Sequence, residues 1–308
     1  MFSKKLLIPL LSLSLLVTPA YSSHAAENAE AAGTSVEGQG MLSPSSSSES
    51  SESVFNGSGA GTSSEPVTDE KLETILKQVQ SQLPAENGTW AVFISDLVNG
   101  TEGSLNDQKM QAASLIKLYI MGAVYENYDQ ITGQYGRDSV DSNLYSMITV
   151  SDNDAANTLT TYLGGGDSAA GMQAVNSFCQ AHGYDQTHMG RMLLASNEND
   201  DNYTSVGDCG HLLQEIYKQD TSGYTHAADM FNLLKAQTRC NKIPAQLPEG
   251  VKTANKTGEL DNVENDAGII YDSKNDVVIV FMSQNLSSAG SEQNTIATLS
   301  RTIYDYYN

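Results

Sequence analysis

Ser114-Leu115-Ile116-Lys117 is the only Ser-x-x-Lys in the chain, with a hydroxyl and an amine three residues apart. On a helix that spacing puts both side chains on one face. A serine hydroxyl is a poor nucleophile until a base takes its proton. A lysine that is desolvated, or set beside other cations, can be neutral enough to serve as that base. The start of a helix would also point backbone N–H groups at developing negative charge. The chemistry this combination could support is nucleophilic attack by Ser114. Two further motifs carry polar groups. Ser151-Asp152-Asn153 begins 37 residues after Ser114, just ahead of a helical pattern; by itself it is a turn and an N-cap. Lys256-Thr257-Gly258 ends a late strand pattern, where glycine would let a ligand approach the strand closely. Taken singly, each motif is equally a cap, a turn or a surface lysine.

The elements that must position these groups follow from periodicity. Thr68 can cap a helix whose first turn carries Asp69 and Glu70, and Leu72, Ile75, Leu76, Val79 and Leu83 then recur at helical spacing up to Pro84. Thr89 to Leu97 reads as a strand, Asn99-Gly100 as a turn, and Thr101 to Leu105 as a second strand. Ser114 to Asn127 is a mostly apolar, buried helix. Helical stretches follow near 138–148, 154–163, 168–181, 206–218 and 225–239. Late strands fit 251–257, 267–271 and 277–283, the last almost wholly apolar, as a central strand should be. Ile296, Leu299 and Ile303 mark a C-terminal helix. The order suggests one sheet completed from both ends of the chain, with a helical insertion between.

The 308 residues carry 16 basic and 37 acidic side chains, a net charge of −21. That balance argues against nucleic acid or an anionic membrane as partner. Lys4 and Lys5, the apolar run Leu6 to Val17 and the small residues around Ala25 read as a secretory signal peptide over residues 1–25, with an uncleaved anchor as the minority reading. Residues 26–66, rich in Ser, Gly and Glu, cannot bury enough apolar surface to offset their ordering entropy and read as a disordered linker. That linker holds six Glu and no Lys or Arg, and two lysines lie in the leader. Residues 67–308 therefore retain 14 basic and 31 acidic groups, a net −17. The expected location is outside the cytoplasm, at a bacterial cell envelope. No later segment is long and apolar enough to span a bilayer.

The three motifs in this order, behind a signal peptide and in a domain of this size, resemble the class A β-lactamases and the related penicillin-binding proteins. The resemblance spans roughly residues 67–308, and the stretches Ile243 to Gly250 and Asn265 to Tyr271 agree with it. It implies an α/β (α+β) sandwich, an antiparallel sheet formed from both chain ends with a helical insertion. It implies an acyl-enzyme on Ser114, with Lys117 acting as or assisting the general base and Ser151 relaying a proton to the leaving nitrogen. Asn153 would bind the substrate's side-chain amide and help position Lys117. Lys256 would supply positive potential and Thr257 would bind the substrate carboxylate beside Gly258. The backbone N–H groups of Ser114 and Glu259 would form the oxyanion hole. No metal or organic cofactor is implied. The implied partner is a β-lactam or a peptidoglycan stem peptide, met by a monomer.

Departures from the family pattern bear on turnover. The family carries a Glu-x-x-Leu-Asn signature whose Glu activates the deacylating water, yet Asp185 to Leu194 holds no Glu. Asp185 and Glu198 are read as surface carboxylates. Glu259 stands where a small residue is usual, and would repel an anionic substrate unless it points away. The usual arginine on the following strand has no evident counterpart. The leading reading is slow β-lactam hydrolysis. The rivals are a D-alanyl-D-alanine peptidase and a non-hydrolytic β-lactam or peptidoglycan sensor. Cys209 and Cys240 could pair outside the cytoplasm, and the alternative is that Cys179, Cys209 and Cys240 are all reduced and buried. His182, His188, His211 and His226 lack metal-ligand spacing.

Overall fold

The computed structural model describes residues 69–219 and 224–308. The expected leader, the linker and the cap at Thr68 lie outside the described residues. Helix α1 (Glu70–Gln82) starts from Asp69, whose carboxylate accepts from the amides of Lys71 and Leu72 at 3.0 and 3.4 Å. The N-cap observed is therefore Asp69; its short carboxylate meets the need for which Thr68 was the candidate.

Strands β1 (Thr89–Asp96) and β2 (Thr101–Leu105) form the hairpin expected around Asn99-Gly100. After the helices come β5 (Lys252–Leu260), β6 (Val263–Tyr271) and β7 (Val277–Gln284). The five lie in the order β2-β1-β7-β6-β5, all antiparallel. Strand β7 is central, and its two sets of alternating side chains enter different cores. Val278, Val280 and Met282 join Phe93 and the helical layer. Val277, Ile279 and Phe281 join α1 and the C-terminal helix α9 (Ala289–Tyr307) through Ile75, Ile296 and Ile303. Burial on both faces is why that strand carries no polar alternation.

The insertion contains α2 (Ile116–Glu126), α3 (Tyr128–Tyr135), α4 (Arg137–Thr149), α5 (Asn153–Leu163), α6 (Ser168–Ala181), α7 (Val206–Lys218) and α8 (Ala227–Lys235). Helix α2 is buried from Ile116 to Tyr125, as its apolar composition demands. Its start differs from expectation, because Ala113–Leu115 is a turn of 3-10 helix. Helix α3, unforeseen in sequence, begins right after Asn127 and buries only Tyr128 and Ile131. A short ribbon, β3 (Met110–Gln111) with β4 (Tyr203–Thr204), was also unforeseen; two residues are too few to show alternation. Helix α8 stops at Lys235, short of the expected 239. Among the described residues, no helix is long and apolar enough to cross a membrane.

The possible Cys209–Cys240 pair is absent. All three cysteines are free, with Cys209 buried on α7 and Cys240 exposed beyond α8. The Cys209 sulfur points into the core, where it accepts from the Tyr119 hydroxyl at 3.4 Å.

Helices α5 and α6 cross at Gly171, where a Cβ would lie 1.8 Å from the Thr160 carbonyl oxygen. That oxygen is backbone and cannot swing aside. Gly171→Ala should therefore cost about 2 kcal/mol or more, lowering Tm by about 4–8 °C. An unchanged melt by circular dichroism would show that the crossing is not tight.

Candidate active site

Ser114 lies in the 3-10 turn and Lys117 in the first turn of α2, so the hydroxyl and amine meet at 3.2 Å. The turn is held from three sides. The Ala112 amide donates to the Asn202 carbonyl at 2.9 Å. Asn265 on β6 donates to the carbonyls of Gln111 and Ala112 at 2.9 and 3.2 Å. Strand β5 presses on it at Gly258, where a Cβ would stand 3.0 Å from the Ala112 oxygen and 3.2 Å from the Ser114 nitrogen. Glycine is needed there for close approach. Ala113 has φ 47° and Ser151 φ 61°. Each is left-handed backbone without glycine, costing about 1–3 kcal/mol, and persists only where packing over-determines it.

Asp152 caps α5 by accepting from the Ala155 amide at 2.7 Å, which sets Ser151 ahead of the helix and Asn153 at its first residue. Both reach Lys117. Its Nζ donates to the Ser151 carbonyl and to Asn153 Oδ1, each at 2.7 Å, and lies 3.1 Å from Ser151 Oγ. From β5, Lys256 Nζ donates to Ser151 Oγ at 2.9 Å and to the Thr257 carbonyl at 2.7 Å. Thus Ser114, Lys117, Ser151, Asn153, Lys256, Thr257, Gly258 and Glu259, proposed from three distant stretches, converge on one site.

Both lysines have no exposed surface. Burial drives the Lys117 ammonium from its ordinary 10.5 down to about 7; Asp152 opposes this and Arg239 adds to it. Burial, and then the charge of Lys117, hold Lys256 well below its usual range. The hydrogen bonds suit a neutral Lys117. The Ser151 carbonyl and Asn153 Oδ1 can only accept, so they take both hydrogens of an uncharged amine. Its one lone pair is then left for a single hydroxyl, that of Ser114 or of Ser151.

Two hollows, of about 310 and about 140 Å³, open on Ser114, Asn153 and Glu259. The larger is walled by the loop after α6, including Arg191, Leu193 and Leu194. That loop is fastened at several points. Asn157 on α5 grips Leu193 through both its backbone N–H and its carbonyl, at 2.8 and 3.0 Å. The Arg191 guanidinium meets the buried Asp201 at 2.7 Å. Asp185 and Glu198 are exposed and line neither hollow. Glu259 is the carboxylate that does line them. A hollow of about 440 Å³ between Tyr125, Tyr128 and His226 contains no comparable nucleophile and base.

Two cations near Glu259 were not anticipated. Arg239 lines the smaller hollow, and Lys242 is buried beneath β5, donating to the carbonyls of Gly258 and Asn265 at 3.2 and 3.0 Å. Their sequence neighbourhood, Thr238 to Ile243, shows no periodicity that would aim them. The histidines show no shared centre: His188 pairs with Asp200, His211 with Glu102. Among the described residues no three His, Cys, Asp or Glu side chains converge as metal ligands.

A family model described as "Beta-lactamase enzyme family" matches residues 71–138 and 134–307. No curated protein matches the chain. Solved structures of similar fold include PBP-A, at 22% identity over 76% of this chain and 96% of that one, TM-score 0.66. A leucine-to-glutamate variant of PBP-A in acyl-enzyme complex with penicillin G gives the same values. A β-lactamase from Sphaerobacter thermophilus DSM 20745 matches at 22% identity over 75% of this chain and 96% of that one, TM-score 0.63.

The lysine chemistry is directly measurable. In protein with ¹³C-labelled lysine, the Lys117 Cε resonance, assigned by its loss in Lys117→Arg, should titrate at about pH 7. The amine is neutral above that pH and charged below it, so nucleophile activation should rise with pH through the same window. A midpoint near 10 would rule out Lys117 as a neutral base at physiological pH.

Proposed function

The chain belongs to the beta-lactamase enzyme family, and from that premise we propose that it is a serine acyl-transfer enzyme that β-lactams acylate at Ser114 and that releases the product slowly. The observation that carries this reading is the Ser114 hydroxyl 3.2 Å from a buried Lys117 amine that is also held by the Ser151 carbonyl and Asn153 Oδ1.

In the proposed reaction Lys117 takes the Ser114 proton as Oγ bonds to the lactam carbonyl carbon. The oxyanion sits between the amides of Ser114 and Glu259. Ser151, bridged to Lys117 and Lys256, passes a proton to the ring nitrogen as the C–N bond breaks. Asn153 binds the substrate's amide, and Lys256 and Thr257 receive its carboxylate. The fold neighbour PBP-A, captured as a variant in acyl-enzyme form with penicillin G, supports a β-lactam as the acylating ligand.

Slow release rests on Leu193. This side chain faces the hollow beside Ser114, its backbone fixed by Asn157, and an alkyl group there cannot activate water. The same feature favours a second reading, a D-alanyl-D-alanine peptidase of the cell wall. Both fit a domain exported behind the leader read from residues 1–25.

The test is intact-protein mass spectrometry with benzylpenicillin. Wild type should gain the mass of one penicillin and hold it for hours, and Ser114→Ala should gain nothing. Leu193→Glu should shorten the adduct's life by about tenfold or more, toward the ~10²–10⁴ a well-placed base supplies. Rapid loss of the wild-type adduct would refute slow release. An adduct in Ser114→Ala would refute the nucleophile.

A further inference from the structure

Glu259 is the carboxylate in the cleft, and it already has partners. Its Oε1 lies 3.1 Å from Lys242 Nζ and its Oε2 3.5 Å from Arg239 Nη1. The two cations differ in freedom. Lys242 is fully buried and also lies against Glu264 and two strand carbonyls, so it cannot leave. Arg239 has a side chain 46% exposed. Its other nitrogen, Nη2, donates to the Val150 carbonyl at 3.3 Å, immediately before Ser151. Arg239 therefore spans the smaller hollow, from the Ser151 turn on one wall to the end of β5 on the other.

A substrate carboxylate received by Thr257 and Lys256 would enter this hollow, where Arg239 is the solvent-exposed cation. That guanidinium is already engaged by Glu259. The pair is not preset as a base for water. Although burial favours its protonated form, Lys242 and Arg239 together hold Glu259 below the usual carboxylate range.

Building on the acyl-enzyme reading, we propose that the Glu259 carboxylate is an internal competitor for the substrate's carboxylate. It occupies Arg239 in the free cleft, and an anionic acyl donor gains that cation only by breaking the Arg239–Glu259 pair. Glu259 thereby sets the discrimination between anionic and uncharged acyl donors, and disfavours anionic ones. Its amide can still serve the oxyanion, because the carboxylate is drawn away toward Lys242.

The test compares acylation rates of the full chain with benzylpenicillin and with its methyl ester, which differ in the charge in question. Glu259→Gln keeps the shape and a hydrogen-bonding group. It should speed acylation by benzylpenicillin about fivefold more than it speeds acylation by the ester. The double variant Glu259→Gln/Arg239→Gln should lose the gain, since the freed guanidinium is its source. High salt should shrink the gain as well. Equal effects on both compounds, or none, would overturn the proposal. A longer-lived adduct with unchanged acylation would also overturn it, and would assign the carboxylate to water activation. If neither wild type nor Glu259→Gln forms an adduct with either compound, the acyl-enzyme reading falls and this inference falls with it.

Discussion

The site depends on removing lysines from water. In solvent an ammonium holds its proton far above neutral pH and offers no base. Here α2, the Ser151 turn and β5 close around Lys117 until burial outweighs the stabilising charge of Asp152. The charge of Lys117 in turn adds to the burial that holds Lys256 low. Lys117 and Lys256 meet across one hydroxyl, Ser151 Oγ, at 3.1 and 2.9 Å, and two ammonium ions so placed repel each other.

Such a cluster needs a frame that does not yield. Desolvating an amine is unfavourable, and a soft pocket would admit water or let the lysine swing out. The rigidity comes from placing the groups on three elements that each have other commitments. Strand β5 is hydrogen-bonded along its length to β6, and β6 to the central β7. Helix α2 is buried on all sides. The Ser151 turn is held by the Asp152 cap and by the Asp152 amide donating to the Ser146 carbonyl at 3.1 Å. Left-handed backbone at Ala113 and Ser151 is tolerated because those elements leave no alternative. Strain and burial thus fall on the same few residues, and the sheet and its two cores offset both.

What could be read from sequence follows how local the signal was. Ser114 and Lys117 are three apart where the 3-10 turn runs into α2, so their meeting is a matter of local helical geometry. Ser151, Asn153, Lys256 and Thr257 were placed through a motif order that resembles a known family. The sheet was legible because β7 is a continuous apolar run and β1 and β2 share a tight turn. Arg239, Lys242, Asn265 and Leu193 were not legible as site residues. Each acts through a partner far along the chain: Asn265 on Ala112, Leu193 under Asn157. Their roles exist only after the strands and the loop have packed. The cysteine pairing failed similarly, since helix assignment alone does not say that Cys209 faces Tyr119 rather than solvent.

The net charge and the site point in opposite directions, and distance reconciles them. The folded part carries a large acidic excess, yet Lys117, Lys242 and Lys256 sit together without exposure and Arg239 stands at the rim. Exposed carboxylates are screened beyond about 8 Å at physiological salt, whereas charges inside a water-poor cleft are screened much less over a few ångströms. An anionic ligand would meet weak repulsion on approach and, on arrival, the cations Arg239 and Lys242 already paired with Glu259. Such a site selects at close range, where the partners of Arg239 and the shape near Ser151 decide the outcome. That is the range at which a single carboxylate such as Glu259, poised 3.1 Å from Lys242, can outweigh the many that cover the surface.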